Sequence, residues 1–190
     1  MVRESRVVAG LLLDDVSADE WDSAIKVENV LQKRSPSSAW RNAQSIRQRL
    51  ERLGPGFWQA LRYGDDELAT QVAFAAALER NLLMVEFMEQ VLRDCYVTQL
   101  PKIAAYQWLE FLDDCAHRDP LILEWKDSSK NKMREVVFRM LAETGYLKST
   151  RSLQLQPVLV RVELRSLLDE HYKRRIKQCM EVSSRRREVQ

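Results

Sequence analysis

LATQVAFAAALERNLLMVEFMEQVL, residues 68–92, is the stretch on which the fold turns. Leu, Ala, Val, Phe and Met fall on nearly every side of its helical wheel, so a helix here keeps little face for water and suits the centre of a bundle. Asp65 or Asp66 stands where an N-cap belongs, and the pattern predicts one continuous helix to about Tyr96. The rest of the composition agrees. Only five glycines and five prolines interrupt 190 residues rich in Leu, Ala, Glu, Arg, Lys and Gln, which lose little side-chain freedom in a helix. With 45% hydrophobic and 31% charged residues the chain reads as globular rather than disordered.

Working outward, the sequence predicts a short helix over 3–13 and a capping box of Ser17 and Glu20 opening a helix to about Lys33. Pro36 breaks it, and a helix over 38–53 follows, ended by Gly54-Pro55-Gly56. A short helix at 57–63 stops at Gly64. On the other side, helices are expected over 101–116 and 129–144, the second stopped by Gly145. The alternation Leu153-Gln154-Leu155-Gln156 has the period of a strand and predicts a hairpin within 146–157, before a last helix over 157–180. The expected architecture is mainly α: a multi-helix globular bundle with helix-turn-helix and winged-helix-like parts and at most one small β-hairpin. Soft boundaries divide it into 1–63, 64–118 and 119–190.

The longest apolar run, Val72–Leu78, falls far short of the ~20 residues a membrane span needs, so no membrane partner is expected. The apolar patch 7–13 runs straight into Asp14, Asp15, Asp19 and Glu20, unlike a signal peptide. Cys95, Cys115 and Cys179 are odd in number and match no metal spacing, which fits thiols in a reducing, cytoplasmic compartment. His117 and His171 have no ligand or base partner at motif spacing, and no Gly-rich phosphate loop or nucleophile elbow is present. The carboxylate pairs Asp65-Asp66 and Asp113-Asp114 sit at helix ends, where capping explains them better than a cation. The expectation is a protein without catalytic residues, metal or cofactor.

Charge is distributed unevenly. Residues 1–62 carry 10 Lys/Arg against 8 Asp/Glu, 63–125 carry 4 against 12, and 126–190 carry 16 against 8. Basic ends around an acidic middle could orient the molecule on a polyanion, or could neutralise one another within the fold. Two segments look suited to nucleic acid. On the helix 38–53, Trp40, Ala43, Ile46, Leu50 and Leu53 form an anchoring stripe. Arg41, Gln44, Ser45, Gln48 and Arg52 face the other way, with Arg49 at the flank. Such side chains hold phosphates or read base edges, and a preceding helix across a short break suggests a helix-turn-helix. In the second segment Lys132 and Arg139 point outward from the helix 129–144, with Lys130 and Arg134 at its flanks. Lys148 and Arg151 would lie in the wing, while Glu135 counts against a tuned reading face. Lys173, Arg174, Arg175, Lys177 and the triplet Arg185-Arg186-Arg187 add sequence-independent attraction or serve as solubilising charge. Trp21, Trp40, Trp58, Trp108 and Trp125 read as core rather than as stacking platforms for single strands.

AWRNAQSIRQRLERLGPGFWQAL (39–61), DELATQVAFAAALERNLLMVEFMEQVLRD (66–94) and Trp125 followed by SSKNKMREVVFRMLAETGYL (128–147) together resemble the BrxA family of BREX bacteriophage-exclusion systems. The resemblance spans nearly the whole chain through diffuse helical patterns, without a catalytic signature. It implies a small all-α, DNA-binding component of a bacterial defence island, acting beside a DNA methyltransferase, an ATPase and other BREX components, and the leading expectation is an accessory protein that binds double-stranded DNA. The rival expectation is a protein–protein adaptor with incidental DNA contact. A sequence-specific repressor would usually need a dimer matched to paired half-sites, and no heptad seam is evident.

Overall fold

The computed structural model describes residues 2–184. Its helices are α1 (Val2–Leu13), α2 (Ala18–Asp22), α3 (Pro36–Leu50), α4 (Pro55–Tyr63), α5 (Asp66–Leu78), α6 (Leu82–Phe87), α7 (Arg93–Val97), α8 (Gln107–Ala116), α9 (Asp127–Glu143), α10 (Val162–Glu170) and α11 (Arg174–Met180). π-helical turns extend α2 through Ser23–Val27 and join α6 to α7 through Met88–Leu92, and a 3-10 turn covers Pro120–Glu124. The mainly-α expectation holds. Among the described residues β pairing is confined to two isolated antiparallel bridges, Lys102 with Gln154 and Leu147 with Leu155. No single described helix is long and apolar enough to cross a membrane.

The chain forms two compact units: residues 2–80 with 161–174, and residues 81–160 with 175–184. These cuts differ from a partition at 63/64 and 118/119. The first falls inside the stretch expected to be one long helix. Glu79 C-caps α5, and Asn81 starts α6 by accepting a hydrogen bond from the Met84 amide at 3.1 Å. Asn is a strong N-cap, and here its side chain satisfies a donor that a continuous helix would have paired internally.

In the first unit the caps form as the sequence predicts. Ser17 N–H donates to Glu20 Oε2 at 2.8 Å and Glu20 N–H returns a bond to Ser17 Oγ at 3.3 Å. The helix so opened ends at Val27, not near Lys33. Asn29 takes a left-handed φ of 50° and clamps the Lys33 backbone with bonds of 2.8 and 2.9 Å. Residues 28–35 therefore form a longer connection than the 3–4-residue turn of a helix-turn-helix. At the other end of α3, Gly54 has φ 98°, and Gly56 lets α10 close on α4, since a Cβ there would lie 2.9 Å from Leu167 Cδ2.

α5 is the centre of this unit. Leu68, Ala69, Val72, Phe74, Ala75, Ala76, Ala77 and Leu78 are all buried, so its whole circumference is packed. One buried residue of α5 is polar. Gln71, 3% exposed, accepts a hydrogen bond from the Arg161 amide at 2.9 Å. Arg161 also donates through Nη1 to Asp65 Oδ2 and through Nη2 to Glu163 Oε1, both at 2.7 Å. The Leu68 amide and then Arg161 hold the Asp65 carboxyl below its ordinary range.

The second unit is built on aromatic packing. Phe87 meets Trp108 and Phe111 edge-on, with centroids 5.1 and 5.3 Å apart, and Phe138 lies 6.2 Å from Phe87. The expected hairpin shrinks to one bridge. Lys148 N–H donates to Gln154 O and Gln156 N–H to Tyr146 O, but Leu153 takes φ 53° and neither arm continues as a strand. No two-stranded wing forms. The alternation itself is real, since Leu153 and Leu155 are half-buried and Gln154 and Gln156 exposed. Tyr96 Oη donates to Gln156 O at 2.6 Å, and the buried Tyr146 Oη to Met180 O. The helix expected over 157–180 splits into α10 and α11 where Tyr172 adopts φ 56°. That over 101–116 begins only at Gln107, because 101–106 leave helical geometry to bridge Gln154.

Gln71→Leu should cost about 1–3 kcal/mol in urea unfolding, because the Arg161 amide loses its acceptor inside the core. A second prediction concerns pH. Arg118 bonds both oxygens of Glu86 at 3.2 and 2.7 Å and, against the opposing effect of burial, holds its carboxyl below the usual 4.5. A carboxyl lowered by folding stabilises above its unfolded value and loses that effect as pH falls through the folded one. Glu86→Gln should therefore melt below the parent at pH 7, and the difference should begin to shrink as pH drops below about 4.5 and be gone only once pH has passed below the lowered folded value.

Candidate nucleic-acid interface

α3 starts two residues before the expected helix, because Pro36 occupies its first turn and Ser35 caps it by accepting from the Ser38 amide at 3.3 Å. Ala39, Ala43, Ile46, Leu50 and Leu53 are at most 2% exposed and anchor it in the first unit. Trp40, expected in that stripe, is half-buried on its flank. There Lys26 Nζ lies 4.0 Å above its ring, and the Arg47 guanidinium lies 4.7 Å above Trp21.

The outward side is the expected one. Arg41, Gln48 and Arg52 are exposed, and Gln44, Ser45 and Arg49 are half-buried. Positions 41, 45 and 48 follow the i, i+4, i+7 spacing of one row of α3, which ends at Leu50 rather than at 53, so Arg52 lies on the turn just past it. Among the described residues Arg41 and Arg52 make no ion pair. Arg47, which sequence reasoning passed over, is used internally: its Nε donates to Glu51 Oε1 at 2.7 Å.

The second segment is arranged differently. α9 begins at Asp127, with Val137 and Leu141 buried and Met133, Val136 and Met140 half-buried. Those three and Leu83 line a shallow apolar groove over Trp108 and Val137. Lys132 and Arg139 point outward, and Lys130 and Arg134 are half-buried at the flanks. Two residues apart, Lys130 and Lys132 stand about 200° around the helix from each other and share no face. The exposed row reads Lys132, Glu135, Arg139, Glu143, alternating in sign. Lys132 pairs with Glu135 at 2.9 Å and pulls that carboxyl down. Lys148 and Arg151 are exposed on the turn. Lys102, bridged through its backbone to Gln154, joins this basic turn and was hidden from the sequence because 101–106 reads as helix.

The run 173–177 is partly spent on structure. Lys173 pairs with Glu79 at 3.2 Å, and Arg175 meets both oxygens of Glu89 at 2.9 and 2.7 Å. Arg174 is exposed, and Arg185, Arg186 and Arg187 lie outside the described residues.

No three His, Cys, Asp or Glu side chains among the described residues converge as a metal site. The three cysteines are buried and free, and burial pushes all three thiols up, Cys179 to about 12. His171 packs edge-on to Phe57 with centroids 5.2 Å apart.

A family model described as BrxA matches residues 1–172. A BREX protein BrxA of Paramagnetospirillum magneticum (strain ATCC 700264 / AMB-1) is 41% identical over 180 residues, 95% of this chain and 90% of that one. A BREX protein BrxA of Escherichia coli O9:H4 (strain HS) is 33% identical over 168 residues, 88% and 79% of the two chains. The crystal structure of an uncharacterized protein from Magnetospirillum magneticum superposes with TM-score 0.85 at 37% identity, covering 96% of this chain and 93% of that one.

The burial pattern of α3 separates anchoring from surface residues. Replacing Arg41 and Arg52 together by Ala should leave unfolding free energy within about 1 kcal/mol of the parent. Ile46→Ala, at the buried side, should cost about 2–5 kcal/mol. Urea titration of the three proteins checks the division.

Proposed function

The chain belongs to the BrxA family, and on that footing we propose that it is a non-enzymatic, double-stranded-DNA-binding accessory protein of a BREX phage-defence system. The observation that carries the DNA reading is the outward face of α3. Arg41 and Arg52 stand exposed and unpaired among the described residues, with Gln44, Ser45 and Gln48 between them and no carboxylate on the row. Arginines with no internal partner are available to phosphate oxygens, and Gln and Ser can donate to phosphate or to base edges. The stripe of buried residues behind them fixes the helix, so little ordering cost falls on binding. In the second unit, the basic turn of Lys148, Arg151 and Lys102 would add phosphate contacts without sequence preference.

One observation favours the adaptor reading for the second unit. The sign-alternating outer row of α9 suits a protein surface of mixed charge better than a polyanion.

An electrophoretic shift with duplex DNA over a salt series tests the proposal. Log affinity should fall linearly with log salt, by about 0.9 for each phosphate neutralised, and the Arg41/Arg52 double variant should show both weaker binding and a shallower slope. No shift even at low salt would replace the DNA reading by the adaptor.

A further inference from the structure

Three segments of the second unit meet through short β pairing, and their register lines up polar residues that the sequence keeps apart. Ile103 N–H donates to Leu153 O at 3.0 Å and Leu155 N–H to Pro101 O at 3.1 Å, which sets Lys102 opposite Gln154. On the other side, the Leu147–Leu155 bridge and the 2.9 Å bond from Lys148 N–H to Gln154 O set Lys148 opposite the same glutamine. Residues directly opposite one another share a face. Lys102, Gln154 and Lys148 thus form one row with the glutamine in the middle, and all three are exposed. Ile103 and Leu147, each beside a lysine of the row in sequence, are 1% exposed and anchor it from below. At about 4.8 Å per strand, the two lysine backbones stand about 10 Å apart.

The fold leaves these side chains unused. Among the described residues Lys102, Lys148 and Arg151 make no ion pair, and the Gln154 side-chain amide makes no hydrogen bond. Neither 95–109 nor 144–162 contains an Asp or Glu, in a chain with 28 of them, so the row escapes the alternating charge of α9. The turn between Lys148 and Gln154 is set by its own bonds, Ser152 N–H to Ser149 Oγ and Leu153 N–H to Ser149 O, both at 3.0 Å. Tyr96 Oη holds the far end through Gln156 O at 2.6 Å. The backbone under the row is therefore fixed before any ligand arrives.

We propose that the Lys102–Gln154–Lys148 row lies across the minor groove of duplex DNA, with one lysine on the phosphates of each strand and Gln154 over the groove between them. The inference rests on the DNA reading and gives the basic turn of the second unit its place on the duplex. A two-stranded ribbon fits the major groove, about 12 Å wide, but three segments about 10 Å across before side chains are added are too broad to enter it. The minor groove, about 6 Å wide, is narrower than the lysine spacing, so a row laid over it reaches both strands at once. The lysine contacts are indifferent to sequence. Gln154 meets only the A·T-versus-G·C pattern that this groove displays, and the narrow groove of A-tracts draws cations more strongly.

Electrophoretic titration with A·T-rich and G·C-rich duplexes over a salt series tests the row in the parent, Lys102→Ala/Lys148→Ala, Lys102→Arg/Lys148→Arg and Gln154→Ala. The minor-groove ligand netropsin is then added to the A·T-rich duplex. The row requires the alanine pair to lose about 0.9 in salt slope per lysine and on the order of tenfold in affinity, and the arginine pair to keep the slope. Both pairs should melt within a few degrees of the parent, because the lysines are exposed. The parent should favour the A·T-rich duplex, and Gln154→Ala should reduce that preference without changing the slope; an unchanged preference overturns the role of Gln154. Netropsin should weaken the parent and leave the alanine pair nearly unaffected, since that variant has already lost the groove contact. If the alanine pair binds as the parent does while Arg41/Arg52→Ala weakens binding, the row is overturned and the DNA reading stands. If the alanine pair loses slope but netropsin spares the parent, or displaces both proteins alike, the minor-groove placement is overturned. No shift of the parent at low salt overturns the row together with the DNA reading.

Discussion

A buried amide on a helix packed from every side has few ways to be satisfied. α5 is such a helix, and Gln71 is its buried polar residue, with the Arg161 N–H supplied from ninety positions away in sequence. Leaving a buried acceptor unpaired costs about 1–3 kcal/mol, a large part of a domain's net stability. The bond is one of the contacts that tie 161–174 to the first unit although its sequence neighbours on both sides belong to the second. Arg161 reinforces the attachment by reaching Asp65, which caps α5, so the start and the middle of the central helix are held by one residue. α10, carried in behind Arg161, meets α4 through Leu167, for which the glycine at 56 leaves room, and buries Leu164 and Leu168.

Features that depend on residues within one helical turn were legible in the sequence. The Ser17–Glu20 capping box, the stop at Gly64, and the inner and outer rows of α3 all formed where local chemistry places them. The break after Leu78 was not legible for a physical reason. Glu79, Arg80 and Asn81 are acceptable helix residues, and apolar residues on both sides are buried whether the helix runs on or stops. Only tertiary packing reveals that Asn81 spends its side chain on a cap. The left-handed residues Asn29, Leu153 and Tyr172 have the same origin: each ends or bends a segment without the glycine that would have announced it. Trp40 illustrates a finer limit. It lies about 100° from the centre of the buried stripe of α3, where a wheel still counts it inside and the structure leaves it beside Lys26.

The candidate interface divides along the same line. Periodicity sufficed for Arg41, Gln44, Ser45 and Gln48, because one helix carries them, and Arg52 follows on the turn directly after it. It could not find Lys102, whose relevance depends on which segment lies beside it. Nor could it tell a free cation from one already paired. Arg47, Lys173 and Arg175 look as available in the sequence as Arg41 does, and Glu51, Glu79 and Glu89 have claimed them. Carboxylates of the acidic middle, with Glu51 from the first segment, thus neutralise selected basic residues and leave others exposed. Net charge by segment therefore misjudges which surface a polyanion would meet.

The interleaved course of the chain also sets a timetable for synthesis. The first eighty residues emerge early, yet the first unit lacks α10 and the Gln71 partner until residues 161–174 have left the ribosome. At elongation rates of about 5–20 residues per second, that delay is several seconds, long compared with the micro- to millisecond closure of a small helical bundle. During it, the faces of α4 and α5 that α10 will cover stand open in the nascent chain. The second unit waits in turn for the α11 residues Ile176, Cys179 and Met180 to fill its own core. Both halves are completed by the same short stretch, residues 161–184, which couples their maturation in time.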